Sequence, residues 1–521
     1  MKHFAVAALV LACLAAVPAH TALAAPSLPS KNVAWLPAAA DADIEKAFAQ
    51  ARQQKKPVLL YWGATWCPPC NQLKATLFNR QDFAAQAKAL VAVHVDGDRP
   101  GAQQLGKRFK VSGYPTLVMF TPDGQEITRL PGEADAEQVL ALMQLGLTGG
   151  RPVKAVLADA KAGKPLTSNE WKLLAFYSWE TDDNQLVPKA EVPGLLATLA
   201  AASPAADVET TTRLWLKALA ASDDGQGVKP DAALRERMQK VVADATLSRT
   251  HADVLVNSAD DVLRVLAEGD APEKSPLVPL FDAALQRLAR DPSLSRGDRM
   301  SALISRINLA RLGQPKAEVN PKLPEALLKD VREHVARDDR EITDGYERQA
   351  VITAAGYALG HAGLWAESEA LLKANLAKSH SPYYLMSQLG SNARKQGKND
   401  EALRWYEQSF VKSEGPATRL QWGSGYLTAL VDLAPKDAAR IEKTAAQLFS
   451  EAGKDKGAFA GRSARSLQRL GNKLVAWNGD GTQAAAMKRL QSQLNGVCAK
   501  LPTAEGQRDA CQGLLKPKKA A

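Results

Sequence analysis

A chain of 521 residues exceeds one ordinary core, and its length suggests roughly three domains. Apolar residues make up 46% and charged residues 23%, a globular balance that excludes a disordered or fibrous protein. The net charge of +10 comes from 66 basic and 56 acidic residues spread along the chain. Its one basic cluster, Lys516, Lys518 and Lys519, reads as a solvated terminus, so nucleic-acid binding is excluded too.

Lys2 and His3 precede an apolar run from Phe4 to Val17, and Ala22-Leu23-Ala24 offers the small residues a signal peptidase reads. The pattern predicts an exported protein that loses residues 1–24. The run is too short to span a bilayer, and no later stretch of that kind exists, so no integral membrane segment is expected after cleavage. The competing reading takes Val10-Leu11-Ala12-Cys13 as a lipoprotein cleavage box, against which stands the apolar run continuing past Cys13. With Cys13 removed, Cys67, Cys70, Cys498 and Cys511 remain, an even number suited to an oxidising compartment.

From residue 41 to 146 helical and strand periods alternate, the signature of an α/β unit. Asp41 or Asp43 can cap a helix whose Ile44, Ala47, Phe48 and Ala51 recur at helical spacing. Val58 to Trp62 reads as a buried strand, followed by the Cys67 segment and a helix toward Phe78. A helix near Gln81 to Lys88, a strand from Leu90 to Val95 and a helix from Gly101 to Phe109 follow. Thr116 to Phe120 and Glu126 to Leu130 form a hairpin through Pro122-Asp123-Gly124. A closing helix spans about Asp135 to Leu145, and Thr148-Gly149-Gly150-Arg151-Pro152 reads as a linker that ends a first domain of residues 25–150.

Beyond it strand signals nearly vanish. Amphipathic blocks such as Glu170 to Phe176 and Glu325 to Val335 predict an all-α region, with a first helical domain over 151–345. A 34-residue interval then relates Gly356 to Gly390, Gly363 to Gly397, and Pro382 to Pro416, with Ala355 and Leu389, and Leu372 and Tyr406, in the same register. This period resembles the tetratricopeptide repeat, which implies paired helices over about 346–450, with coincidence in an Ala-rich region as the alternative. Cys498 and Cys511 flank Pro502 and Gly506, which separate an expected helix near Ala484 to Leu494 from a final one through Asp509 to Leu515, in a last segment, 451–521. A structural disulfide stapling that hairpin is the favoured reading; a second redox pair and intermolecular pairing stay open.

Tyr61-Trp62-Gly63-Ala64-Thr65-Trp66-Cys67-Pro68-Pro69-Cys70 sets two thiols between the end of a strand and the start of a helix. A thiolate is the attacking species in disulfide exchange, and the free N–H groups of a helix start lower a cysteine pKa from about 8.5 toward roughly 3.5–7.5. Cys67 is therefore the expected nucleophile and Cys70 the resolving thiol. Pro68 removes one N–H near the sulfur, which leans the couple toward reduction of partners. Asn71 stands where haem attachment would need His, and no cofactor or metal is expected; His251, His334, His361 and His380 share no ligand spacing.

Together with Val111-Ser112-Gly113-Tyr114-Pro115-Thr116, the dithiol segment closely resembles the thioredoxin family over roughly residues 35–147. The run Leu77-Phe78-Asn79-Arg80-Gln81-Asp82-Phe83 looks most like periplasmic thioredoxin-like domains such as that of DsbD. The resemblance implies a cis Pro115 facing the dithiol and a Tyr114 backbone that pairs with an extended peptide, with Trp66 shaping the surface by the sulfur. It also implies protein disulfide substrates, a recycling redox partner and a periplasmic location. Two departures are visible: Tyr61 replaces the buried Asp that helps move the resolving thiol's proton, and Ala92 replaces its Lys partner. Slower resolution is expected. The competing reading is a helical binding scaffold with a regulatory or structural dithiol.

Overall fold

The computed structural model describes residues 29–132, 135–182, 184–222, 227–267, 271–502 and 506–516. The expected signal segment, Cys13, Lys518 and Lys519 lie outside them. The first domain is a five-stranded sheet flanked by helices: β1 (Leu36–Ala38), α1 (Asp41–Gln54), β2 (Val58–Gly63), α2 (Pro68–Leu73), α3 (Gln81–Ala87), β3 (Val91–Asp96), α4 (Ala102–Arg108), β4 (Thr116–Phe120), β5 (Glu126–Leu130) and α5 (Ala136–Leu147). The strand order is β1-β3-β2-β4-β5. β1 and β2 run parallel to β3, β4 runs antiparallel to β2, and β5 closes the expected hairpin with β4.

Local chemistry accounts for these elements. All six residues of β2 are buried, as a central strand covered on both faces requires. Asp43 accepts the N–H groups of Ala39 and Ala40 ahead of α1, and Asp135 accepts that of Gln138 in α5. Two differences from the sequence reading stand out. β1 was not anticipated, because three residues including a proline carry no alternation to read. The helix after the dithiol changes hydrogen-bonding pattern at Lys74, and Lys74–Phe78 form a π-helical turn.

From Val153 to Gly513 the described residues are helical, with nineteen α-helices. One apolar cluster runs from Val33 through the α3 and α5 face of the sheet to Leu174, Leu196 and Leu214, without a break at residues 148–152. Three further clusters hold the remaining helices together. Gly356 and Gly390 sit where paired helices approach closely: a Cβ at Gly356 would lie 2.6 Å from Leu372, and one at Gly390 would lie 3.0 Å from the Tyr406 ring. The repeat register noted in the sequence thus places each small residue against its large partner. Cys498 and Cys511 are both buried and bonded, joining Ala484–Ala499 to Gln507–Gly513. Among the described residues no helix is long and apolar enough to cross a membrane.

Candidate active site

The site begins where β2 ends at Gly63 and the chain turns through Ala64 to Cys67 into α2. Cys67 caps that helix. Its carbonyl accepts the Asn71 N–H at 3.0 Å, and its Sγ accepts the Cys70 N–H at 3.2 Å. Pro68 and Pro69 fill the first helical positions, whose N–H groups would have no intrahelical acceptor in any case. Cys67 and Cys70 are bonded to each other, with Cα atoms 5.2 Å apart. Asn71 fixes the preceding turn, because its buried amide donates to the Thr65 and Cys67 carbonyls at 2.8 Å each.

The second segment keeps Tyr114-Pro115 as a cis peptide. Thr116 Oγ1 donates to the Gly113 carbonyl at 2.8 Å, and the Tyr114 hydroxyl accepts from Gln103 Nε2 at 2.8 Å. The loop is held from behind by Arg129, fully buried on β5. Its guanidinium donates to the carbonyls of Phe109, Lys110 and Thr181, at 3.0, 2.7 and 2.8 Å. It also pairs with Glu126 at 3.2 Å, so β5, the loop before β4 and the segment after Ser168–Ala175 share one ion.

In front, the C-terminal helices cover the dithiol. The Trp66 ring stacks on Tyr384 and meets Trp422 edge-on, with centroids 5.9 and 6.0 Å apart. The Arg462 guanidinium lies 4.7 Å from the Trp66 ring and 5.2 Å from that of Tyr114. Arg465 donates to the Ser112 carbonyl at 2.8 Å, and His380 Nε2 to the Thr65 carbonyl at 3.1 Å. Asp98 accepts from Trp66 Nε1 at 3.0 Å and from the Thr418 N–H at 2.8 Å, bridging the two regions. Cys67 keeps 2% of its surface and Cys70 none.

The proton environment differs from what the resemblance implied. Tyr61 is fully buried and stacks on its cross-strand neighbour His94 at 5.2 Å; its hydroxyl has no hydrogen-bond partner among the described residues. Burial, then the nearby Asp96 charge, pushes the Tyr61 phenol far above its ordinary range, so it stays protonated. Burial and the Lys74 charge hold His94 down at about 3, hence neutral. Ala92 on β3 is buried beside Leu59, with no polar atom to offer.

An acid and a base are present nonetheless, at other positions. Lys74, one turn beyond Cys70, is 3% exposed; burial lowers its pKa while Asp96 opposes that shift. Asp96 ends β3 opposite Gly63, and burial raises its pKa against the pull of Lys74. Burial, then Asp96, pushes Asp98 up to about 7. Sequence reasoning missed all three, although Asp96-Gly97-Asp98 straight after a buried strand is a readable signal. Tyr384, Thr418, Trp422 and Arg462 had none, since nothing local ties them to Cys67.

Comparison with known proteins agrees with this geometry. Residues 44–146 match the thioredoxin-like domain family. The sheet domain of this chain is thioredoxin-like. It is similar to the thiol:disulfide interchange protein DsbD 2 of Pseudomonas aeruginosa, with 32% identity over 119 residues, 22% of this chain and 20% of that protein. DsbD of Pseudomonas fluorescens is 33% identical over 103 residues, 19% of this chain and 18% of its own. DsbD of Yersinia pestis is 32% identical over 118 residues, 22% and 20% respectively. The chain thus spans about a fifth of the length of these curated relatives, and the likeness is confined to the thioredoxin-like domain and its Cys67–Cys70 disulfide.

Proposed function

We propose that this protein is an exported, periplasmic thiol-disulfide oxidoreductase that reduces disulfides of partner proteins through Cys67 and Cys70. The observation that carries this reading is the position of Cys67 Sγ, at the cap of α2 and accepting the Cys70 N–H, beside a cis Tyr114-Pro115 segment. In the reduced protein the Cys67 thiolate attacks one sulfur of a partner disulfide; a bond forms between Cys67 and that sulfur as the partner's S–S bond breaks. The other partner sulfur leaves as a thiolate. Cys70 then attacks Cys67 Sγ, the mixed disulfide breaks, and the second partner thiol is released. Two electrons and two protons pass from the dithiol to the partner, and a second redox protein must restore the dithiol. In this reading Asp96 and Lys74 take the proton-transfer role of the Asp and Lys that Tyr61 and Ala92 displace.

Trp66, Tyr114 and Pro115 are the residues assigned to partner contact, and Cys498 with Cys511 is assigned a structural role. The helices over 346–450 are read as tetratricopeptide-type pairs on the strength of the contacts at Gly356 and Gly390, between helical segments 151–345 and 451–521. Cys70→Ser should accumulate partners bound covalently to Cys67, released by reductant and identified by mass spectrometry. Absence of any adduct, with Cys67 shown to be reduced and intact, would overturn the assignment. The burial of the dithiol favours a second reading, a partner-binding helical scaffold whose disulfide is regulatory or structural. Full cellular function retained by Cys67→Ser with Cys70→Ser would select it.

A further inference from the structure

The helical region closes one side of the dithiol and leaves a cavity on the other. On the side of Tyr114 and Ser112, Arg462 and Arg465 occupy the surface beside the cis-proline loop. On the opposite side a cavity of about 480 Å³ opens directly at Pro68 and Pro69, the two residues after the nucleophile. Its remaining walls come from four helices of the C-terminal region, among them Ile304, Ala354, Tyr357, Tyr384 and Trp422. The size falls within the roughly 300–1,000 Å³ of pockets that take small ligands or a few side chains, well short of a folded domain.

The walls also have a definite chemistry. Among the described residues none of the lining side chains carries a charge, and most of the surface is aliphatic or aromatic. Tyr384 and Trp422 also belong to the cluster that packs on Trp66 and Cys67, so the cavity shares two wall residues with the dithiol's own enclosure. At the rim stands Tyr357, 44% exposed, one of three large hydrophobic side chains in the described residues that face solvent to this degree. Single exposed apolar residues are ordinary, but an exposed ring on the lip of an apolar cavity next to a nucleophile is where a ligand side chain would complete the packing.

Resting on the oxidoreductase reading above, we propose that this cavity is a specificity pocket built by the helical region. It takes an uncharged apolar or aromatic residue adjacent to the disulfide cysteine of an extended substrate segment. When the substrate sulfur is bonded to Cys67, the residue beside it lies over Pro68 and Pro69 and fills the cavity. A charged residue there would be desolvated without a partner, which the site disfavours more than it favours any one apolar side chain.

The test uses the full-length reduced protein and three symmetric peptide disulfides that differ only in the residue next to cysteine: Leu, Glu or Lys. The two charged peptides bracket simple electrostatic steering by a chain of net charge +10. The Leu peptide should be reduced about tenfold faster than either charged one. Introducing Ala354→Glu into the wall should bring that ratio close to unity, and Tyr357→Ala, on a side chain already half in solvent, should lower it about threefold without disturbing the core. Equal rates for the three peptides, or a ratio unchanged in both variants, would overturn the pocket. Hydroxyethyl disulfide, too small to need the cavity, separates the two ideas. Wild-type protein that reduces it without discriminating among peptides loses only the pocket, whereas failure on hydroxyethyl disulfide as well removes the oxidoreductase reading itself.

Discussion

The two regions of the molecule contribute to the dithiol in different ways. The sheet domain supplies everything chemical within short stretches of chain: the strand end, the cap at Cys67, the Asn71 clasp and the cis Tyr114-Pro115 turn. The helical region contributes nothing to the Cys67–Cys70 turn itself, yet Tyr384, Trp422 and Arg462 pack against Trp66 beside Cys67, and Thr418 bonds the Asp98 that Trp66 also bonds. Reactivity is therefore encoded locally and access is encoded by packing across more than 300 residues. A thioredoxin-like domain of the same sequence, freed of those helices, would keep the Cys67–Cys70 turn and lose the cover that Tyr384, Trp422 and Arg462 place over Trp66.

Breaking the joint behind the site should have the largest effect. Arg129→Met leaves Glu126 buried without its ion and three carbonyls without their donor, and should cost roughly 3–5 kcal/mol in a urea unfolding experiment. A loss below about 1 kcal/mol would mean that Arg129 and its ion pair do not hold the loop before β4. The front of the site should respond more modestly. On a Cys70→Ser background, Trp422→Ala and Arg462→Ala each remove an aromatic or cation contact to Trp66 worth about 0.5–1.5 kcal/mol, so iodoacetamide should alkylate Cys67 up to about tenfold faster. Unchanged alkylation would show that these helices do not limit access.

The same division explains what could be read from the sequence. β2, β4, β5 and the dithiol turn were legible because a buried strand, a Pro-Asp-Gly turn and a Cys-Pro-Pro-Cys segment are local patterns. The spacing of Gly356 and Gly390 was legible for a similar reason, since close helix contact restricts side-chain size at a fixed interval. β1 was too short to show a period, and no local pattern in Lys74–Phe78 marks the π turn. His380 shares no ligand spacing with the other histidines, and only the fold brings it to the Thr65 carbonyl. The substitution of Tyr61 for Asp was visible, but not that Lys74 and Asp96 lie close enough for each charge to shift the other's pKa.

The smallest expected effect is also the most specific to the contact between the regions. Asp98 holds its proton up to about pH 7 in the folded protein, because burial and the neighbouring Asp96 disfavour its charge. In an unfolded chain an aspartate releases it near 3.9, roughly the value for a free side chain. Between those values the folded state binds the extra proton, so stability from this group is complete below the lower value and declines as pH rises through the upper one. Asp98→Asn cannot lose a proton; its single amide oxygen can accept from Thr418 or from Trp66 but not from both, so the comparison is of pH dependence and not of absolute stability. The urea midpoint of the wild type should therefore fall more between pH 5 and pH 8 than that of the variant. Parallel pH profiles would mean that Asp98 is ionised throughout and that the bridge to Thr418 is an ordinary charged hydrogen bond.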